Sequence, residues 1–502
     1  MFCRKKTGIS LANFTDVSKE GTEIGASFFF YDLETSGFSP HEHRIMQFAG
    51  QRTDMDLKPI GEPVNVLIKM TDDCLPDVDA VFITGITPQQ TIAEGITEVE
   101  FLRQFEHEIA TPGTVFVGYN TVRFDDEFMR CLHYRNFYDP YEWQWQGDRS
   151  RWDMLDVVRM TRALRPEGIE WPFDIHGKPT NRLELLTSLN KLSHEHAHDA
   201  LSDVSATIEI ARLIRNKQTK LFDYLFTMRS KNNVADLVNK DEPFVYTSGK
   251  YPSEFEKTTA AVRVCAHPKR QGALVYDLRH DPADWLQLTP EQMADAWRYK
   301  KDRQEPRLPV KMMRFNVCPA VAPLGVLDAS SQSRLHLDPK RIVQYHKALR
   351  ADKTFVERLC KAVDIMDEQQ QTKLLGSEVD VDACMYDSFF QAGDKNAMSV
   401  VRAATPEELG NLGLTFKDQR LTLLLPLYKA RNYPKHLTGE ERESWEKLRA
   451  RKLLDGGQNS KLAKYFARLQ AVVADGGLTG HQEYLIEELK LYAESIMPEA
   501  EG

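Results

Sequence analysis

Paired acidic side chains near the start of the chain could hold divalent metal ions. Asp32 and Glu34 lie two residues apart at the end of the apolar run "SFFFYDLET", and the alternation of a strand puts both side chains on one face. Two carboxylates this close raise each other's pKa unless cations neutralise them, and hard ions such as Mg²⁺ or Mn²⁺ prefer oxygen ligands. The alternative, which a single D-x-E motif leaves open, is a strand that ends at a solvated acidic turn.

A second set of polar residues follows the apolar segment "TVFVGYN" (114–120). Asn120 comes at the end of this strand-like run, and Asp125 and Asp126 begin the next helical pattern. Successive helical residues point about 100° apart, so we expect only one of the two aspartates to face a site behind Asn120. Acidic residues are also favoured in a first helical turn by the helix dipole, and this simpler explanation stays open.

A third set lies in "LSHEHAHDALSDVSATIEIARLI" (192–214), where His194, His196 and His198 alternate and Asp203 follows. Three alternating imidazoles could hold a transition metal, or a single histidine could work with the later aspartate. The seven cysteines are scattered and form no C-x-x-C pair, so a zinc site is disfavoured.

The elements that must position these residues follow an α/β pattern. Strand-like segments are expected at 27–37, 43–54, 62–70 and 114–120, and helices at 97–110, 124–137, 151–164, 182–192 and 199–216. After about residue 216 short strands are expected in "EPFVYTS", "AVRVCAHP" and "GALVYDL", and amphipathic helices follow from about residue 375.

Length and composition indicate a globular protein of several domains. The chain has 502 residues, of which 42% are hydrophobic and 28% charged, and three domains are the economical division. A net charge of −9 argues against coating nucleic acid by bulk electrostatics but permits a local basic groove. Neither a signal peptide nor a membrane-spanning run is recognised, and scattered cysteines suit reduced thiols, so we expect a cytoplasmic protein.

Taken in order, these motifs resemble those of the DEDDh exonucleases: Asp32-x-Glu34, then Asn120-x-x-x-Phe124-Asp125, then His198 five residues before Asp203. The stretch from "GYNTVRFDDEF" to "GIEWP" is similar to the exodeoxyribonuclease I family, and "KLFDYLF", "PVKMMRFNVCP", "YDSFF" and "YKARNYP" extend the resemblance. The resemblance implies an α/β, ribonuclease H-like exonuclease domain, an SH3-like β-rich domain and a C-terminal helical domain. The expected bounds are 26–215, 216–374 and 375–502, after a flexible extension at 1–25.

The resemblance also implies how the acidic residues are used. Two Mg²⁺ ions, with Mn²⁺ as an alternative, would be held by Asp32, Glu34 and Asp203, with Asp125 acting mainly from behind them. His198 would be the general base, since an imidazole titrates near neutral pH. His194 and His196 are then expected to be solvated loop residues.

The function implied is processive 3′-to-5′ hydrolysis of single-stranded DNA to deoxynucleoside 5′-monophosphates in DNA repair and recombination. The aromatic-rich stretch 134–152 and its arginines suit stacked bases and phosphates, although several rings could instead belong to the core. Tyr141 and Trp145 have helix-like spacing and are the preferred stacking residues. The other expected substrate-binding residues are Asn120, Arg130, Arg159, Arg182 and Lys311.

The family also works with single-stranded-DNA-binding protein, and Arg165 is the residue expected to meet that partner's acidic tail. A monomer is expected. Two competing hypotheses remain, namely an exonuclease for RNA or recessed duplex ends, and a non-catalytic nucleic-acid-binding scaffold. All five catalytic residue types are present, which disfavours the scaffold.

Overall fold

The first part of the chain folds around a five-stranded mixed sheet. The structure, a computed structural model, describes residues 25–193, 199–301, 305–374 and 380–498. The predicted flexible extension at 1–25 lies outside the described residues except for Gly25. The strands of this sheet are β1 (Ser27–Thr35), β2 (Ile45–Thr53), β3 (Val64–Leu67), β4 (Thr114–Gly118) and β5 (Ser150–Asp153). Their order is β3-β2-β1-β4-β5, with β1 antiparallel to β2 and parallel to β4.

The central strand β1 is buried on both faces because its residues alternate between two cores. Phe28 and Phe30 join the core that contains the apolar side of the helix after residue 199, whereas Phe29 and Tyr31 join a separate aromatic core on the other face. Asp32 and Glu34 continue the series of Phe28 and Phe30, so both carboxylates point toward that helix.

Seven helices accompany this sheet. They are α1 (Val78–Thr84), α2 (Pro88–Glu94), α3 (Glu98–Gln104), α4 (Asp125–Arg135), α5 (Met154–Leu164), α6 (Leu183–Leu189) and α7 (Ala200–Lys217). α7 begins with Asp199 as its N-cap, whose side chain accepts a hydrogen bond from the backbone N–H of Ser202. Its residues Val204, Ile208 and Ala211 pack against the β1 face that carries the acidic pair. The predicted α/β layering is therefore confirmed.

A second, antiparallel sheet follows two connecting helices, α8 (Thr219–Thr227) and α9 (Lys231–Val238). Its strands, in the order β10-β6-β7-β8-β9, are β6 (Phe244–Thr247), β7 (Thr258–Ala266), β8 (Ala273–Asp277), β9 (Val310–Met313) and β10 (Ala320–Pro323). The helices α10 (Pro290–Trp297), α11 (Ala329–Arg334), α12 (Pro339–Ala351) and α13 (Phe355–Leu374) surround it. The remainder is helical, with α14 (Ala392–Ala403), α15 (Gln419–Asn432), α16 (Gly439–Leu454), α17 (Lys461–Asp475) and α18 (Gly480–Ser495).

The C-terminal helices are fastened to the first sheet by a buried ionic cluster of Arg44, Asp73, Asp382, Arg431 and Lys452. Asp73 accepts from Arg431 at 2.7 Å and from Lys452 at 2.8 Å, and Asp382 pairs with Arg431 at 2.5 Å. Arg44 lies 3.4 Å from Asp73. Because three cations surround two carboxylates, the pKa of Asp73 and that of Asp382 are both held well below the ordinary range despite burial.

One predicted element is wrong at its start. Residues 151–164 were expected to form one helix, but Arg151, Trp152 and Asp153 belong to β5, which pairs in parallel with β4. The helix begins only at Met154, because Asp153 caps it by accepting from the backbone N–H of Leu155 at 2.9 Å. Among the described helices, none combines the length and the apolar character that crossing a membrane requires.

Candidate active site

Three of the predicted acidic residues meet at the end of β1. One carboxylate oxygen each of Asp32, Glu34 and Asp203 can be chosen so that all three lie within 4.8 Å of one another. Asp32 and Glu34 come from alternate positions of β1, and Asp203 comes from the first turn of α7, which packs on that face. The three oxygens form the kind of hard-donor set that Mg²⁺ or Mn²⁺ takes.

Burial and like charge act together on these carboxylates. Burial is the largest cause that raises the pKa of Asp32 well above its ordinary value, and the negative charge of Asp203 raises it further. Burial, then Asp32 and Asp203, raise the pKa of Glu34 to about 9. For both groups, the causes that involve described residues are burial and neighbouring carboxylates. Divalent cations bound to these oxygens would favour the charged forms.

The neighbouring aspartates of α4 are divided between two roles. Burial and the charge of Asp32 raise the pKa of Asp125, which places Asp125 electrostatically with the acidic group. Asp126 instead accepts a hydrogen bond from the Tyr31 hydroxyl at 2.5 Å and pairs with the Arg151 guanidinium. The opposite directions of the two side chains follow from the roughly 100° step of a helix.

The loop that delivers Asp125 is held by a residue that the sequence reading missed. Asp153 accepts from the backbone N–H of Asn120 at 3.0 Å and of Val122 at 3.2 Å, in addition to capping α5. Asn120 has a φ of 72°, in the left-handed region, where asparagine is tolerated better than most residues. An aspartate directly before an apolar helical run is an N-cap signal and could have identified Asp153.

Gly118 lets this loop turn tightly against β1. A Cβ atom at this position would stand 2.8 Å from the carbonyl oxygen of Tyr31, a backbone atom that cannot move aside, and 2.0 Å from the Thr121 side chain. The absence of a side chain thus brings the Asn120 loop against the strand segment that carries Asp32.

Of the two predicted stacking residues, Tyr141 contacts the C-terminal region and Trp145 is mostly exposed. Tyr141 is partly buried, with its ring 5.5 Å from that of Phe389 and with the Arg130 guanidinium 5.7 Å from its centroid. Trp145 is 59% exposed and available to a ligand. The helix-like spacing of the two rings is not realised, because residues 142–144 form only a short 3₁₀ turn. Arg130 pairs with Glu127 and donates to Gln144.

The other predicted contact residues differ in how free they are. Arg182 has 71% of its side chain exposed and lies 3.7 Å from Glu184. Arg159 donates to the buried Asp156 at 2.8 Å. Arg165 donates to the Val326 carbonyl at 3.0 Å. Arg182 is the most exposed of these arginines, and Lys311 lines a cleft on the second sheet.

A basic cleft of about 1490 Å³ lies on the second sheet. Its lysine and arginine lining residues are Lys250, Lys257, Arg270, Arg298, Arg307 and Lys311, and Asp277 and Asp367 also line it. Burial is the main cause that lowers the pKa of Lys311 to about 8, and Arg307 and Lys250 lower it further. One lining residue, Gly249, lies next to α5, because a Cβ atom on it would stand 3.0 Å from the Arg159 guanidinium. Clustered cations that lower one another's pKa suit a polyanion.

His194, His196 and His198 fall within residues 194–198, outside the described part of the chain, so the structure says nothing of their placement. The described neighbour Asp199 is the N-cap of α7, one turn before Asp203.

Three protein-family models match the chain in succession. Residues 29–211 match "Exonuclease", residues 229–363 match "Exonuclease I SH3-like domain", and residues 379–496 match "Exonuclease I C-terminal domain". The order and content of these matches confirm the predicted fold class.

Two curated relatives are similar over nearly their whole length. The exodeoxyribonuclease I of Haemophilus influenzae is 38% identical over 478 residues, which cover 94% of this chain and 99% of the relative. That of Escherichia coli is 38% identical over 477 residues, with 94% and 98% covered.

Solved structures agree with the sequence comparison. E. coli exonuclease I in complex with a dA16 oligonucleotide superposes with a TM-score of 0.88 at 38% identity, over 94% of this chain and all of that one. A zinc-bound form of the E. coli enzyme with single-stranded DNA gives a TM-score of 0.87 at 36% identity, with 94% and 99% covered. A complex described as ExoI/SSB-Ct also gives 0.87 at 36% identity, with 94% and 100% covered.

Proposed function

We propose, from the premise that this chain belongs to the exodeoxyribonuclease I family, that it hydrolyses single-stranded DNA processively from the 3′ end and releases deoxynucleoside 5′-monophosphates. The observation that carries the proposal is the acidic group of Asp32, Glu34 and Asp203, whose carboxylate oxygens lie within 4.8 Å of one another and in which burial and like charge raise the pKa values of Asp32 and Glu34. The relatives solved with single-stranded oligonucleotides support the choice of substrate.

The donor set fits divalent ions. Carboxylate oxygens of Asp32, Glu34 and Asp203 would hold the first of two Mg²⁺ ions, and Asp32 would also contact the second. Bound ions would supply Lewis-acid stabilisation of the charge that develops on the attacking and leaving oxygens of a phosphodiester. Asp125, close enough to Asp32 for their charges to interact, would reinforce the negative potential that retains the ions.

The proton transfer is assigned to His198 on the family pattern. A neutral imidazole accepts a proton from water during attack on phosphorus and can return it at neutral pH. The single strand would lie along the cationic groups that extend from Arg159 to Lys311, with Arg182, Arg130 and Asn120 near the reacting end. Exposed aromatic rings, Trp145 first, would stack on unpaired bases without regard to sequence.

We also propose that Arg165 takes part in binding the acidic tail of single-stranded-DNA-binding protein. Its guanidinium is partly exposed and lies 3.5 Å from the exposed Asp328, a weak pairing that an incoming carboxylate can replace. The ExoI/SSB-Ct complex of a relative supports the choice of partner. A cytoplasmic monomer that acts in DNA repair, divided at about residues 215 and 374, completes the proposal.

The test is shortening of a 5′-labelled single-stranded DNA with Mg²⁺, beside the RNA of the same sequence and beside a DNA reaction with EDTA. Matched variants His198→Ala and His194→Ala separate the general base from a loop histidine. We expect 3′-end shortening of DNA that stops with EDTA and in His198→Ala but continues in His194→Ala. Faster shortening of RNA would reassign the substrate, and tight binding without shortening would leave a scaffold.

A further inference from the structure

Two thiols from different elements meet at the edge of the basic cleft. Cys265 lies near the end of β7 and Cys360 in the first half of α13, and both are partly buried free thiols. The Cys360 side chain is near enough to Cys265 to raise the pKa of the Cys265 thiol. Cys265 also packs against the core that includes Leu359 and Ala362, the neighbours of Cys360 along α13. The other described cysteines are buried.

Ion pairs fix the two elements in this register independently of the thiols. Just beyond Cys265, Lys269 lies 3.0 Å from Asp364 and 3.5 Å from Asp367. Arg270 lies 3.4 Å from the same Asp367. Asp364 is four residues, about one helical turn, after Cys360 and therefore shares its side of α13. The turn between β7 and β8 is thus ion-paired to the side of α13 on which Cys360 lies.

We propose that Cys265 and Cys360 form a reversible disulfide, so that this thiol pair is an oxidation site for peroxides. A disulfide can form only where the two Cα atoms lie within about 7 Å of each other. Most pairs of cysteines in a reduced protein are too far apart in the native fold to meet this condition. Here the strand, the helix and three ion pairs already hold the partners together.

The chemistry balances with hydrogen peroxide as the oxidant. The Cys360 sulfur attacks peroxide, the S–O bond forms as the O–O bond breaks, and one water leaves with the thiol proton. The Cys265 sulfur then attacks the sulfenic acid, the S–S bond forms, and hydroxide leaves and takes the Cys265 proton as a second water. Two electrons pass from the two sulfurs to the peroxide. Cys265 takes the second step because burial, with Cys360 beside it, raises the pKa of Cys265 to about 12.

The bond would join two parts of the cleft wall. His267 and Arg270 line the cleft from the turn after β7, and Val363, Met366 and Asp367 line it from α13. In the reduced protein these parts are joined by apolar packing and by three partly exposed ion pairs, which contribute little each. The disulfide would close a long loop and so restrict separation of the helix from the sheet.

The experiment oxidises the folded, full-length protein with hydrogen peroxide at pH 8, blocks free thiols with N-ethylmaleimide, and maps peptides by mass spectrometry. We expect a cross-linked peptide that joins Cys265 to Cys360, two hydrogens lighter than the separate peptides, and its loss after dithiothreitol. The oxidised protein should also unfold at a higher temperature than the reduced protein.

Variants assign the bond. Cys265→Ser and Cys360→Ser should each abolish the cross-link and the upward shift in unfolding temperature. Cys384→Ser is the matched control, because serine can keep the hydrogen bond that Cys384 donates to the Asp380 carbonyl, and Cys3→Ser removes the cysteine near the N-terminus. Both controls should retain the cross-link. Three outcomes would each overturn the proposal. The wild type could form separate sulfinic or sulfonic acids, both thiols could remain reactive toward N-ethylmaleimide, or the cross-link could form only in urea.

Discussion

Two groups of carboxylates in this protein have pKa values that are shifted in opposite directions. At the end of β1, burial and like charge raise the pKa of Asp32 and bring the pKa of Glu34 to about 9. In the ionic cluster, the buried Asp73 and Asp382 have lowered pKa values because Arg44, Arg431 and Lys452 surround them. Burial alone therefore does not distinguish a site from a structural joint. Among the described residues, the distinction is that Asp73 and Asp382 have cationic neighbours, whereas the charged neighbours that shift Asp32 and Glu34 are other carboxylates.

The largest expected effect is on activity. Asp32→Asn removes a ligand of the proposed ions, and the loss of several kcal/mol of charge stabilisation should lower kcat by about 10³-fold. The unfolding temperature measured without metal should stay the same or rise, because a like-charge contact disappears. Single-turnover assays and thermal unfolding on one preparation measure both. A loss of stability large enough to account for the lost activity would make Asp32 a structural residue, like Asp73 in the ionic cluster.

The reverse outcome is expected in the ionic cluster. Asp73→Asn leaves two buried arginines and the partly buried Lys452 with one carboxylate, and should lower the free energy of unfolding by about 3–5 kcal/mol. Activity per folded molecule should be retained below the unfolding transition. Since the folded pKa of Asp73 is lowered, its contribution is full above the ordinary aspartate pKa and is lost as the pH falls through the lowered value.

Urea unfolding at pH 7 measures this change, with Glu443→Gln as the matched control. Glu443 forms an exposed pair with Lys447, so its loss should cost less than about 0.5 kcal/mol. A cost for Asp73→Asn as small as that of the control would show that the cluster is not a structural joint.

Metal addition should act on only one of the two groups. Mg²⁺ at about a hundredfold its Kd should stabilise the wild type by about 2.7 kcal/mol, because it binds the folded acidic site and not the unfolded chain. Asp32→Asn should lose this stabilisation, whereas the ionic cluster should contribute nothing to it. Thermal unfolding with and without Mg²⁺ tests both statements, and equal stabilisation of wild type and Asp32→Asn would place the ion elsewhere.

The smallest expected effect extends the comparison to cations. Lys311 lies among other lysines and arginines and has a pKa lowered to about 8. Its side chain should therefore lose its charge as the pH rises from 7 to 9. Losing one phosphate contact should reduce the salt dependence of single-stranded DNA binding by about 0.7 in the slope of log K against log salt. Lys311→Arg should keep its slope at pH 9. Wild type with an unchanged slope would place Lys311 outside the DNA path.

Local sequence patterns predicted the parts of the site that local geometry fixes. The two-residue period of a strand put Asp32 and Glu34 on one face, and helical spacing separated Asp125 from Asp126. The resemblance predicted the three-part fold, which the family models confirm. The roles of the individual site residues stay predictions.

What the sequence did not predict depends on distant or very short segments. β5 has four residues and runs directly into α5. The alternation of apolar and polar residues over so short a strand cannot be distinguished from the first turn of a helix that begins earlier. Tyr141 and Trp145 have helical spacing, but a 3₁₀ turn separates them. Two partners of Asp73, Arg431 and Lys452, lie hundreds of residues away, and a salt bridge at that separation leaves no periodic signal.

The ionic cluster has a consequence for the order in which the newly made chain matures. Asp73 is synthesised 358 residues before Arg431 and 379 before Lys452. At about 5–20 residues per second, the ribosome needs roughly 20–70 s to deliver these partners. During that interval the emerging nuclease core carries Asp73 with Arg44 as its only partner from the cluster. Nascent chains arrested before residue 431 should therefore be more open to protease at this joint than chains arrested after residue 452 has emerged.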